Sequence, residues 1–150
     1  MTAKVRMLPL TAPANREQDA FRVRSIAIVD DDESVRRAFA RLLRAYSFQA
    51  ESYGSGADFL RSLSIRVPDC LVVDVHMDDM TGFELLLRLS YRGLRIPAVV
   101  VTARDEPGVQ ADCELCGAAA LLIKPVEGQS LLNAIKTAIA TAADRGTQSQ

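Results

Sequence analysis

Four short apolar runs in this 150-residue chain end in residues that can handle charge. Ile26–Val29 is followed by Asp30, Asp31 and Asp32, and Leu71–Val73 by Asp74. Ala98–Val101 is followed by Thr102, and Leu121–Ile123 by Lys124 and Pro125. Carboxylates brought within a few Å repel one another, so at least one stays protonated unless a counter-charge is present. A hard divalent cation removes that conflict, and Mg²⁺ takes one or two carboxylates together with waters and phosphate oxygens. An ionised Asp beside such an ion can attack phosphorus. The transferring phosphoryl group then needs charge stabilisation on its equatorial oxygens, for which Lys124 offers an ammonium and Thr102 a hydroxyl. The residue types point to Mg²⁺ and phosphoryl chemistry.

Such a site requires the four run ends to meet. Val/Ile/Leu-rich runs alternating with helical patterns read as buried strands of a parallel sheet, and in such a sheet the carboxyl ends of neighbouring strands share one crevice. The regular pattern begins at Ser25. Val35, Phe39, Leu42, Leu43 and Tyr46 recur at helical spacing, with Arg36, Arg37, Arg41 and Arg44 on other faces, read as solvated. Gln49–Tyr53 is half polar and is expected at a sheet edge, and Ser55 to Asp58 has the form of a capping box. A helix after Gly82 is expected to turn Phe83, Leu86 and Leu87 inward. Pro107 and Gly108 delay and shorten the next helix, which Gly117 closes. Ser130 to Ala143 forms the last helix through Leu131, Leu132, Ile135 and Ile139. The expectation is an α/β fold of five parallel strands and five helices in alternation. Residues 1–24 form a flexible N-terminal arm, 25–143 one domain, and 144–150 a polar, frayed tail.

Composition narrows the function classes. A chain of this length that is 49% hydrophobic can build one core. Its net charge of −1 gives no footprint for direct nucleic-acid binding. No run approaches the roughly 18 apolar residues of a membrane span, and the start, with Lys4, Arg6 and Pro9, is not expected to act as a signal peptide. Three Cys without framework spacing fit a reducing compartment, and the cytoplasm is the expected location. Cys113-Glu114-Leu115-Cys116 has the spacing of a redox or zinc motif but no second pair, and His76 is the only His. It is read as packing.

Taken in order, Val29 to Arg36, Pro68 to Asp74, Met80 to Glu84, Val101 to Ala103 and Lys124-Pro125 resemble the response-regulator receiver domains of two-component signalling. The match covers about residues 24 to 142 and is most similar to the nitrogen-fixation-regulator subgroup. The resemblance implies a flavodoxin-like, doubly wound sheet of strand order 2-1-3-4-5. It implies Asp74 as phospho-acceptor and Mg²⁺ as cofactor, held by Asp30, Asp31, Asp74 and the backbone carbonyl of His76. Thr102 and Lys124 would bind the phosphoryl oxygens, and the Lys124-Pro125 bond would be cis. Asp32 would help to start the first helix. The implied partners are a sensor histidine kinase or phosphotransfer protein and a downstream protein target, with self-association into a homodimer left open. No catalytic turnover is implied beyond self-phosphorylation and self-dephosphorylation at Asp74.

Several positions depart from the family pattern. Leu121 stands at the switch position, where Tyr or Phe is common. Asp78 replaces the usual Pro of the loop after the acceptor, and Val126 follows Pro125 where the subgroup often has Phe. Arg104 and His76 occupy positions that influence phosphoryl lifetime in relatives. Two other functions stay in view. Asp30-x-Asp32 after an apolar strand imitates the opening of haloacid-dehalogenase-like phosphatases, although the acidic pair Asp78-Asp79 precedes Thr102 instead of lying late in the chain. A receiver-like docking module that works without phosphate is the other. With no effector domain after the last helix, the expectation is a stand-alone receiver.

Overall fold

The computed structural model describes residues 22–148, and most of the expected arm lies outside them. Five strands alternate with five helices among these residues: β1 (Ser25–Val29), α1 (Glu33–Ala45), β2 (Gln49–Tyr53), α2 (Gly56–Ser62), β3 (Cys70–Asp74), α3 (Gly82–Tyr91), β4 (Ala98–Thr102), α4 (Val109–Cys116), β5 (Ala120–Ile123) and α5 (Gly128–Gln148). The strands form one sheet in the order β2-β1-β3-β4-β5, every pairing parallel. β1, β3 and β4 are buried at every position, which explains their continuous apolar runs. The half-polar β2 is an edge strand.

Alternation along the strands splits the core in two. Val29, Leu71, Val73 and Val100 pack with Phe59, Leu85 and Leu89 on the face covered by α2, α3 and α4. Ile26, Ile28, Val72 and Val99 pack with Leu43, Leu131 and Ile135 under α1 and α5. The chain just before β1 is tied down at Asp69, whose carboxylate accepts from Ser25 N at 2.8 Å and pairs with Arg22 at 2.7 Å.

Local chemistry starts the helices. Asp32 caps α1, accepting from Ser34 N at 2.9 Å and Val35 N at 3.3 Å. The Ser55 hydroxyl caps α2 by accepting from Asp58 N at 3.1 Å. The expected reciprocal half is absent, because the Asp58 carboxylate pairs with Arg61. Asp79 instead reaches across from the β3–α3 loop and accepts from Gly56 N at 3.2 Å and Ala57 N at 3.0 Å.

Two helical expectations need correction. In α3 the buried leucines are Leu85, Leu86 and Leu89, whereas Leu87 is exposed. Gly82 sets this phase: a Cβ there would lie 2.5 Å from the Asp74 carbonyl oxygen, so the helix presses its Gly82 face onto the end of β3. The last helix continues to Gln148, through most of the expected polar tail. Asp144 and Arg145 are exposed, and polar residues without a Pro do not stop a helix.

Candidate functional site

The parallel register delivers the chemistry-bearing residues to one edge. Asp74 ends β3 opposite Val101, and Thr102 ends β4 opposite Ile123, the residue before Lys124. Asp30 follows the last residue of β1. One carboxylate oxygen from each of Asp30, Asp31 and Asp74 lies within 4.8 Å of the others. The Lys124 ammonium stands 3.1 Å from Asp30 Oδ2 and 3.6 Å from Asp74 Oδ1. Asp30 and Asp74 are buried and Asp31 is exposed, so the cluster runs from the end of the sheet out to solvent.

Backbone bonds hold this arrangement. Asp32 N donates to Asp30 Oδ1 at 2.9 Å, and Lys124 N donates to the Thr102 carbonyl at 2.7 Å, fixing the lysine against the end of β4. The Lys124-Pro125 bond is cis. Arg36 donates to the Asp30 carbonyl oxygen at 2.6 Å, a contact that sequence reasoning missed by treating Arg36 as solvated. Its only sequence signal was its place in the first turns of the helix that follows the acidic run.

The electrostatics are those of an under-neutralised acidic site. Burial raises the Asp74 pKa above its ordinary value, and the neighbouring Asp30 charge adds to the effect while Lys124 opposes it. Burial alone would lower the Lys124 pKa, but hydrogen bonding to Asp30 and the charges of Asp30 and Asp74 outweigh it and raise it. Three carboxylates face one ammonium, leaving two negative charges in excess when all are ionised. The donors are all hard oxygens, with neither His nitrogen nor Cys sulfur among them. That donor set fits a Mg²⁺-type ion.

The remaining predicted residues lie around this cluster. Thr102 is fully buried, and its hydroxyl donates to the Arg104 carbonyl at 3.1 Å and accepts from Arg104 N at 3.2 Å, a turn that closes on itself. The His76 side chain is half exposed and 3.9 Å from Glu106, outside the carboxylate group. Leu121 pairs with Val100 in register and packs, partly buried, against the core beneath α3 and α4. The hydrogen bonds that Asp32 accepts at the start of α1 lower its pKa, the Ser34 side chain contributing most. Burial pushes the Cys70 thiol up to about 12 and raises Cys113 and Cys116 too, which disfavours the nucleophilic thiolate form of each.

A doubly wound parallel sheet with carboxylates, a hydroxyl and a lysine at its carboxyl edge defines an α/β domain of the flavodoxin-like class. Residues 26–136 match the family of response regulator receiver domains, and the chain belongs to that family. It is 33% identical over 116 residues to the transcriptional regulatory protein TdiR of Thauera aromatica, covering 77% of this chain and 51% of that one. It is 29% identical over 123 residues to FixJ of Azorhizobium caulinodans, covering 82% and 58%. The chain thus spans about half the length of the curated relatives it matches. Among solved structures, FixJ-N superposes with a TM-score of 0.74 at 30% identity over 79% of this chain and 95% of that one. A CheY-like receiver domain from Methanospirillum hungatei JF-1 superposes at 0.76, with 23% identity over 83% and 99%.

Proposed function

We propose that this receiver accepts a phosphoryl group on Asp74 from the phosphohistidine of a sensor kinase or phosphotransfer protein and thereby alters its contacts with a downstream protein. The observation that supports this most is the Lys124 ammonium shared between Asp30 and Asp74 at the carboxyl edge of the sheet. An Asp74 oxygen attacks phosphorus, the P–N bond to the donor imidazole breaks with its electron pair staying on nitrogen, and an acyl phosphate remains. Lys124 takes one phosphoryl oxygen, and the Thr102 hydroxyl takes another by rotating away from the Arg104 carbonyl. Asp30, Asp31, Asp74 and the His76 carbonyl would hold Mg²⁺, which when bound neutralises charge on the carboxylates and phosphoryl oxygens. The enzymatic activity proposed is confined to the formation and loss of this acyl phosphate.

The domain proper runs from residue 25 into the last helix and acts in the cytoplasm through protein contacts instead of direct nucleic-acid or membrane binding. Among the described residues no helix is long and apolar enough to cross a membrane. The chemical lability of the modified protein tests the reading. After incubation with phosphoramidate and Mg²⁺, the phosphoryl group should be released by hydroxylamine, as an acyl phosphate is. Steady turnover of p-nitrophenyl phosphate would support the phosphatase alternative instead, and failure to form any acyl phosphate would leave the docking module.

A further inference from the structure

Four arginines of α1 remain outside the phosphoryl site as such. Arg36, Arg37, Arg41 and Arg44 line one groove of about 450 Å³ between α1 and the edge strand β2, with Ser52 on its far wall. The chain as a whole carries a net charge of −1, so this concentration of positive charge is local. Glu33 is the one carboxylate in the lining, and it is matched by Arg37 at 2.8 Å. Arg44 donates to the Ala50 carbonyl at 2.9 Å, which lays its guanidinium across the open edge of β2. The Arg41 side chain makes no hydrogen bond or ion pair among the described residues.

We infer that this groove is a docking surface for an acidic, extended segment of a partner protein. From Arg36 to Arg44 the stripe spans about two helical turns, or roughly 12 Å. In an extended chain, alternate side chains recur about every 7 Å on one face, so carboxylates at every second residue meet successive guanidinium groups. Guanidinium binds carboxylate through a two-pronged fork. A nucleic-acid strand fits less well: the lining holds no aromatic ring on which a base could stack, and the chain lacks the positive charge that steers such ligands. Arg36 also holds the Asp30 carbonyl, so an occupant of the groove would lie one residue contact away from the carboxylate cluster.

The test uses the full chain and a fluorescein-labelled peptide of alternating Glu and Ser, read by anisotropy. Binding should weaken when salt is raised from about 20 mM to about 200 mM. The double variant Arg37→Glu/Arg41→Glu should bind about tenfold more weakly, since two exposed attractions are lost and replaced by repulsions. Arg88→Glu, an exposed arginine on α3, should leave the affinity unchanged. A peptide of alternating Lys and Ser should bind the double variant and not the parent, a reversal that a misfolded variant would not show. Undetectable binding of the acidic peptide, or binding indifferent to the double reversal, overturns the inference. Equal or tighter binding of an oligothymidylate of the same charge overturns it too, by making the groove a nucleic-acid site.

Discussion

Replacing Asp74 by Asn should stabilise the metal-free protein while abolishing its proposed function. The substitution keeps the shape of the side chain and removes a buried negative charge from a cluster with too few cations. At an effective dielectric constant of about 20, two unit charges 4.8 Å apart, the outer limit for the Asp30 and Asp74 oxygens, repel by about 3.5 kcal/mol. Attraction to Lys124 at 3.6 Å returns about 4.6 kcal/mol on the same scale. Those two effects nearly cancel, leaving the burial cost of the carboxylate and a screened repulsion from the exposed Asp31. The expected net gain on substitution is about 1–2 kcal/mol, the order of an uncompensated burial cost for a charge that already has one partner.

The sign follows from linkage. The folded state binds the Asp74 proton more tightly than the unfolded chain does, so the charge costs no stability below the ordinary value of 3.8. The cost grows as pH rises from there through the raised folded-state value, and it is complete above it. In EDTA at pH 7, thermal unfolding followed by circular dichroism should show Asp74→Asn melting roughly 3–8 °C above the parent. The difference should vanish near pH 3 and shrink when Mg²⁺ is added, because the ion stabilises only the parent's full carboxylate set. An Asn variant no more stable than the parent at pH 7 in EDTA, or an advantage equally large at pH 3, would refute the reasoning.

Other outcomes follow from the same geometry. Asp31→Asn removes the exposed carboxylate of the cluster and should weaken Mg²⁺ binding by about tenfold or more, measured calorimetrically, with little effect on stability in EDTA. Gly82→Ala should cost more than about 2 kcal/mol in urea unfolding, because the new methyl meets the Asp74 carbonyl at a forbidden distance. Beryllofluoride with Mg²⁺ should change hydrogen exchange mainly over residues 103–117. There α4 has no side-chain cap at Gly108 and buries only Val109 and Cys113 among its eight residues. Changes confined to Leu121 and α5 would contradict that placement of the switch.

The acidic edge was legible because β1, β3 and β4 are buried on both faces and so read as unbroken apolar runs. Their ends could then be seen directly as Asp30, Asp74 and Thr102. The edge strand β2 was legible for the opposite reason, its mixed polarity. What the pattern could not supply was phase and long-range partnership. Leu85, Leu86 and Leu87 are equally apolar, and only the approach of Gly82 to the Asp74 carbonyl decides which face in. Asp79 as the cap of α2 and Arg36 as the support of Asp30 depend on how loops fold back, which no local spacing encodes. The end of α5 was missed because its last turns are exposed and polar, leaving no periodicity to follow.

The central claim is that Asp74 is the phosphoryl acceptor, and intact-mass measurement after incubation with acetyl phosphate and Mg²⁺ tests it most directly. The account predicts that the parent chain gains the mass of one phosphoryl group, that EDTA suppresses the gain, and that Asp74→Asn shows none. Undiminished labelling of Asp74→Asn, or a phosphoryl group mapped to Asp30, would contradict it.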